Sequence, residues 1–348
     1  MGLFSSKKAK RQYLGVDIGS TSIKVVELRD VNHIPELVTY GLAELPFGGL
    51  HGEPEAVVRD VAATISALCA KAGVKTVKAM TALPTYAVFT SVLSLPKLSK
   101  TELESAIRWE AKKVIPLPID DMVLDPQTLS EPGPNGTVRV LLTGAPKNMV
   151  ERYVKIFKQT RLSLLSLETE GFALIRSLIG RDRTPTMILD LGASSTDIMV
   201  VDEGIPHLNR SIDVGGLAIT KAVARSLNVA PERAEQFKYD IGVGVSESPT
   251  SEIPKTVAAA LAPIINEVKY TLTLYQGQSH KTIEKVILTG GSALLANLPR
   301  YLGEALNVRV YIGDPWARVR YPLELKGVLQ ESAARFAVAV GLAMRDIK

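Results

Sequence analysis

Two runs of strand-like alternation stand out in the pattern of apolar and polar positions. In residues 13–26, aliphatic positions flank a cluster of small polar ones, Gly19, Ser20, Thr21 and Ser22, with Asp17 just before it and Lys24 just after. Residues 187–201 repeat this outline. Asp190, Gly192, Ser194, Ser195 and Thr196 follow the same order, with the aspartates 173 positions apart (190 minus 17). β-Branched residues on either side of a Gly/Ser/Thr turn predict strand, turn, strand. Each copy therefore reads as a β-hairpin with an aspartate at its tip, and a repeat offset by almost half the chain predicts two related lobes.

Helical spacing fills in the rest. Val57, Val61, Ile65 and Leu68 mark one face of a helix over 53–72, stopped by Gly73 and followed by a strand over 76–83. From 84 to about 160, Pro96, Pro116, Pro118, Pro126, Pro132 and Pro134 punctuate shorter elements, which predicts an inserted subdomain. Its clearest element is a helix opened by a capping box at Ser99 and Glu102. Leu103, Ala106, Ile107, Ala111 and Val114 share one face before Pro116 ends it. Glu110 falls on that face and is expected to be a satisfied structural carboxylate. Trp109 lies roughly 120° away; it is expected to pack on another element of the lobe, with an exposed interaction role as the alternative. The second lobe opens near Thr184, with helices over 217–227, 231–239 and 254–275. A buried strand over 283–288 leads into the turn Thr289, Gly290, Gly291, Ser292, then a short turn and a helix within 293–306. An Ala-rich helix over 332–344 is expected to return to the first lobe.

Composition narrows the class. The chain has 348 residues, 46% apolar and 22% charged, which excludes wholesale disorder and allows two domains or one large multi-lobed unit. Its uncharged apolar stretches, such as 256–265 and 336–344, fall short of the roughly 18 to 20 residues a bilayer span needs. No signal-peptide pattern follows the basic start, so a cytoplasmic protein is expected. The formal charge is +5, but Lys7, Lys8, Lys10 and Arg11 supply +4 of it, which argues against a nucleic-acid footprint on the body. Residues 2–11 read as a solvated arm, the alternative being weak attachment to an anionic membrane with Leu3 and Phe4 dipping in; the match of residues 1–6 to the myristoylation pattern is taken as chance. Cys69 sits among apolar residues as a buried thiol without a role. His33, His51, His207 and His280 have no metal-ligand spacing.

The turns carry the candidate chemistry. Backbone N–H groups and hydroxyls in a Gly/Ser/Thr turn form a concavity suited to polyphosphate oxygens. Two facing turns make a clamp, with Ser20, Thr21, Ser22, Ser194, Ser195 and Thr196 as donors. Gly19 and Gly192 would supply positive φ or close approach, and Lys24 a point charge. Asp17 and Asp190 would hold Mg²⁺ between them, largely through its waters. No P-loop is present, and Gly242 with Gly244 lacks the third glycine of a dinucleotide fingerprint.

These residues carry a resemblance. The turns at Asp17–Thr21 and Asp190–Ser194, with Gly290 and Gly291, resemble the phosphate-1, phosphate-2 and adenosine motifs of the actin, DnaK-type chaperone and sugar-kinase superfamily. Lys24 matches the actin phosphate-binding lysine. Glu235 and Lys238 are similar to the helix pair that holds the adenosine ribose and base. Glu170, without the usual following proline, resembles the connecting-segment residue that orients attacking water. Within the superfamily, the phrases at 14–24, 95–98, 102–103, 110–116 and 170–176 resemble the PilM family of type IV pilus assembly, with FtsA next nearest.

The resemblance implies an α/β fold: an actin-like, two-lobed arrangement of duplicated RNase-H-like domains with an inserted subdomain of the FtsA/PilM type. Residues 1–11 form the arm, 12–83 the core of lobe 1, 84–160 the insertion and 161–183 the return and connecting segment. Residues 184–225 and 283–325 form the core of lobe 2 around a subdomain at 226–282, and 326–348 the C-terminal helix. ATP and Mg²⁺ are the implied cofactors, with slow hydrolysis at best. The implied partner is the cytoplasmic N-terminal peptide of membrane-anchored PilN, docked between the insertion and its lobe. This would link an inner-membrane complex to the pilus motor, with membrane association indirect and no nucleic acid bound. An FtsA-like division filament protein and a small-molecule kinase of the same fold are the alternatives.

Overall fold

Alternation in the first repeat becomes an antiparallel hairpin. In the computed structural model, β1 (Gln12–Ile18) pairs with β2 (Ser22–Val31), which pairs with β3 (Ile34–Glu44). The structure describes residues 11–45, 54–96, 98–115, 117–129, 136–243 and 252–347; the basic arm through Lys10, His51, Pro116, Pro132, Pro134 and Gly244 lie outside them. Helix α1 (Pro54–Ala72) covers one side of this sheet and leads to β4 (Lys78–Leu83), parallel to β1. β1 is nearly all buried because α1 covers one face and a C-terminal helix the other, so its pattern is a run rather than a strict alternation.

The chain then departs into a three-stranded sheet: β5 (Phe89–Pro96), β6 (Met122–Thr128) and β7 (Thr137–Pro146), in the order β5-β7-β6. Between β5 and β6 runs α2 (Lys100–Val114), whose capping box is complete. Glu102 N–H donates to the Ser99 hydroxyl at 3.4 Å, and Ser99 N–H to the Glu102 carboxylate at 3.0 Å. The buried stripe of α2 is Ile107 and Ala111 and continues four residues on to Ile115, not to Val114, which is exposed. Glu110 bonds Lys113 at 2.6 Å. Trp109 is 65% exposed, with the Lys113 ammonium over its ring, so the packed position expected from sequence does not hold. Helix α3 (Lys147–Lys158) returns the chain to β8 (Ser163–Thr169), completing the first sheet as β3-β2-β1-β4-β8.

A short helix, α4 (Glu170–Leu174), and a π turn over Ile175–Ile179 cross to the second lobe. There β9 (Thr186–Leu191), β10 (Thr196–Asp202), β11 (Ile205–Ile212), β12 (Lys285–Thr289) and β13 (Arg309–Ile312) repeat the topology as β11-β10-β9-β12-β13. Between β11 and β12 lie α5 (Gly216–Leu227), α6 (Pro231–Ile241) and the long α7 (Glu252–Ser279). Helix α8 (Leu298–Leu306) precedes β13. The predicted terminal helix is broken into α9 (Lys326–Ser332), a 3-10 turn over Ala333–Phe336, and α10 (Ala337–Ala343). The break has a local cause: the Ala334 carbonyl, which a continuous helix would use internally, accepts the Gly290 N–H at 3.0 Å and the Thr289 hydroxyl at 2.9 Å.

Every residue of α10 is buried, and the helix packs on β1 of lobe 1 and on α4. Glycine makes this approach possible. A Cβ on Gly15 would collide with the Ala339 carbonyl oxygen, and one on Gly341 with that of Ala173. Gly341→Ala should therefore lower stability by roughly 3 kcal/mol, the upper range for overpacking a tight contact. Urea unfolding checks this; an unchanged midpoint would show that the contact tolerates a methyl group.

Candidate functional site

The two hairpin tips open onto one cavity of about 830 Å³ between the lobes, a size typical of small-molecule sites. Asp17, Gly19, Ser20, Thr21, Ser22 and Lys24 line it from lobe 1, together with Glu170. Asp190, Gly192, Ser194, Ser195, Glu235, Lys238, Gly290, Gly291 and Ser292 line it from lobe 2. Thr196 is the exception among the predicted residues. It is fully buried in the sheet, with its hydroxyl donated to the Val214 carbonyl at 2.6 Å, so it is no donor to this cavity. Gly19 and Gly192 are not at positive φ either. Close approach explains them: a Cβ would lie 3.1 Å from the Ser22 carbonyl oxygen at Gly19 and 2.9 Å from that of Ser195 at Gly192.

Each turn is held by its own backbone. Gly19 N–H donates to the Ser22 carbonyl at 3.0 Å, closing the first turn. The second turn is tied to the start of α5, where Gly216 N–H and Leu217 N–H donate to the carbonyls of Gly192 and Ala193, each at 2.9 Å. Strand register then decides the charges. Asp17 faces Lys24 across β1 and β2, and their side chains pair at 3.2 Å. The equivalent position across β9 and β10 holds Asp197, which faces Asp190. One Asp197 carboxylate oxygen is buried without a hydrogen-bond partner.

This crowding perturbs the carboxylates. Burial, then the neighbouring Asp197 and Asp17, push Asp190 up to about 7, against a smaller opposing pull from Lys24. Asp197 is pushed up to about 6, chiefly by burial. Glu170, whose carboxylate accepts the Thr85 N–H at 2.9 Å, is driven well above the usual carboxylate range by burial and by Asp197, Asp17 and Asp190. Among the described residues, no three His, Cys, Asp or Glu side chains converge into a direct metal cage.

At the other end of the cavity, Lys238 of α6 is buried. Its ammonium donates to Glu235 at 2.7 Å, to the Thr220 hydroxyl at 3.0 Å and to the Gly216 carbonyl at 3.3 Å. Burial pulls its pKa down, while Glu235 opposes that shift. Gly290, at φ 84, passes close under the Asp190 carboxylate, so no side chain fits there. Gly291 differs: a Cβ there would meet nothing nearer than the Tyr239 hydroxyl at 3.8 Å and Arg335 Nε at 4.0 Å.

Sequence reasoning missed Asp197, Tyr239, Arg335, Arg152 and Tyr86, all of which line the cavity. Asp197 was visible as the counterpart of Lys24, seven residues after each tip aspartate (24 minus 17, 197 minus 190). Arg152 and Arg335 reach the site from α3 and the 3-10 turn before α10, and no local signal marks them. Cys69 is buried, its thiol pushed up to about 11 by burial, and does not line the cavity.

Comparison with known proteins adds a family. The family model described as type IV pilus assembly protein PilM matches residues 15–347. A solved PilM-PilN type IV pilus biogenesis complex contains a chain 28% identical to this one, with a TM-score of 0.86, covering 97% of this chain and 99% of that one. The cell division protein FtsA of Enterococcus faecalis is 23% identical over 353 residues, covering 86% of this chain and 78% of its own length. MreB 5 of Spiroplasma citri bound to AMPPNP shares the fold, with a TM-score of 0.54 at 12% identity, over 95% of this chain and 94% of that one.

The raised carboxylates carry a pH signature. Between about pH 4, where an unfolded aspartate ionises, and about pH 7, where folded Asp190 does, the folded state binds more protons, so this group's contribution weakens as pH rises. Asp190→Asn should gain stability relative to the wild type across that window. Thermal unfolding at a series of pH values tests this; a stability difference that does not change with pH would contradict it.

Proposed function

The chain belongs to the type IV pilus assembly PilM family, and from that premise we propose that it is an ATP-binding scaffold of pilus assembly. In this reading its nucleotide state sets its grip on the N-terminal peptide of a PilN-like membrane protein. One observation carries the reading: two duplicated turns and the Gly290–Gly291 turn converge on a single cavity, in a chain similar to one solved in a PilM-PilN complex.

The N–H groups and hydroxyls of Ser20, Thr21, Ser22, Ser194 and Ser195 donate to the polyphosphate, and Lys24 adds charge. Glu235, fixed by Lys238, faces the ribose, and Gly291 leaves room for the nucleoside. Asp17 and Asp190 hold Mg²⁺ largely through its waters; the unpartnered oxygen of Asp197 and the raised Asp190 fit a site that takes a cation. The metal supplies charge neutralisation to the phosphates. Glu170 orients water. Burial and its acidic neighbours raise its pKa and so leave less of the ionised carboxylate that could accept a proton from that water, in keeping with slow hydrolysis at best. ATP then acts mainly to lock the lobes. No helix among the described residues is long and apolar enough to cross a membrane; in this reading, contact with the inner face of the cytoplasmic membrane and with the pilus motor runs through partners.

Asp17→Ala and Asp190→Ala should each abolish the magnesium-dependent part of the thermal shift produced by ATP; wild-type shifts in both variants would remove the metal assignment. Gly291→Val should fold with an unchanged melting temperature yet bind ATP roughly tenfold more weakly, about 1.4 kcal/mol. Undiminished titration of ATP into the folded variant would rule out the nucleoside position. Glu170→Gln should retain ATP binding while lowering whatever phosphate release the wild type shows; equal turnover would exclude a role for Glu170 in hydrolysis.

A further inference from the structure

At the end of lobe 1 away from the cavity, hydrogen bonds gather separate stretches of chain into one face. β1 begins there at Gln12 and carries Asp17 near its other end, roughly 17 Å away at the rise of a strand. The Asp30 N–H donates to the Arg11 carbonyl at 2.8 Å, and the Thr76 hydroxyl to the Gln12 carbonyl at 3.0 Å. The Ser163 N–H donates to the Val77 carbonyl at 2.7 Å, and the Arg161 guanidinium to the Val74 carbonyl at 3.2 Å. The buried Glu27 carboxylate accepts the Lys75 and Thr76 N–H groups at 2.9 and 3.1 Å, which fixes the loop after α1. Charge on this face is one-sided. Arg11, Lys71, Lys75, Lys78, Lys158 and Arg161 are exposed there, and none has an ion pair among the described residues. The acid within residues 11–12, 30–34, 71–78 and 158–163 is Asp30, whose carboxylate accepts the His33 N–H at 2.8 Å. Val77 is 50% exposed between Lys75 and Lys78, and Ile34 is 41% exposed.

The ten residues that precede Arg11 add Lys7, Lys8 and Lys10 behind Leu3 and Phe4. Apolar residues beside a basic cluster suit the headgroup region of an anionic bilayer. The four stretches contain no Phe, Tyr or Trp on which a nucleic-acid base could stack. We propose that this end of lobe 1 is a docking face for an anionic lipid bilayer. Its lysines and arginines meet the headgroups, Val77 and Ile34 rest at the acyl boundary, and Leu3 and Phe4 insert beside them. Because Asp17 lies near the far end of the strand that starts at this face, a chain seated in this way holds its cavity away from the membrane. The contact is direct, adds to the partner-borne one proposed above, and does not depend on the nucleotide reading.

The test is cosedimentation of the full chain with vesicles of phosphatidylcholine alone and of phosphatidylcholine mixed with phosphatidylglycerol. The wild type should pellet with the phosphatidylglycerol vesicles and stay in the supernatant with phosphatidylcholine. Salt at about 1 M, which shortens screening to about 3 Å, should release it. Lys75→Ala with Lys78→Ala, and separately Lys71→Ala with Lys158→Ala, should keep the wild-type melting temperature and bind phosphatidylglycerol vesicles at least about tenfold more weakly, as two lost surface charges require. Leu3→Ser with Phe4→Ser should weaken binding as well; unchanged binding there would remove the insertion of those two residues. No pelleting with phosphatidylglycerol vesicles, equal pelleting with both vesicle types, or wild-type pelleting of both lysine variants would overturn the docking face. Tighter retention by duplex DNA than by phosphatidylglycerol vesicles at equal salt would also overturn it, and would assign the charge to nucleic acid.

Discussion

Mutual repulsion among four carboxylates in one cavity is the constraint that organises this molecule. Asp17, Glu170, Asp190 and Asp197 feel one another's charge in a space walled by two lobes, and Lys24 offsets only part of it. Like charges drawn away from bulk water are unfavourable unless they are protonated or met by a cation. The arrangement follows from strand register. The duplicated hairpin sets one residue directly across from each tip aspartate, a lysine in the first copy and an aspartate in the second. One turn is thus nearly neutral and the other doubly acidic, so further positive charge has to enter with a ligand or as protons.

Mechanical connection follows from backbone packing. Helix α10 follows the 3-10 turn that holds the Thr289–Gly290 segment of lobe 2, and it lies against β1 in lobe 1, where Gly15 lets the helix backbone approach. β1 ends beside Asp17. The strand that carries the Asp17 turn and the segment that carries the Gly290–Gly291 turn are therefore joined through a single buried helix. A ligand that bridges the turns acts on the same elements that hold the lobes together, which is the physical requirement for occupancy to change lobe geometry.

Much of this was legible in the sequence, where local chemistry dictated it. The repeat at Asp17 and Asp190 became two sheets of the same strand order, and the Ser99–Glu102 box became a capped helix. What escaped depended on residues distant in the chain. Thr196 belongs to a hydroxyl cluster by composition, but strand alternation turns it inward to Val214. The terminal helix has uniform Ala-rich periodicity, and only Gly290 and Thr289, more than forty positions earlier, reveal why Ala334 leaves it. Trp109 shows the same limit: helical spacing sets its angle, but whether another element covers it is decided by tertiary structure.

The proposed control of partner binding by nucleotide in the cleft is read out in the affinity of a synthetic N-terminal PilN-like peptide for the full chain, measured without nucleotide, with ADP and Mg²⁺, and with ATP and Mg²⁺. Because coupling between two sites is reciprocal, such control requires tighter peptide binding with ATP and Mg²⁺ than with no nucleotide, and an equal factor of tightening for ATP when peptide is present. The same peptide affinity in all three states would contradict it.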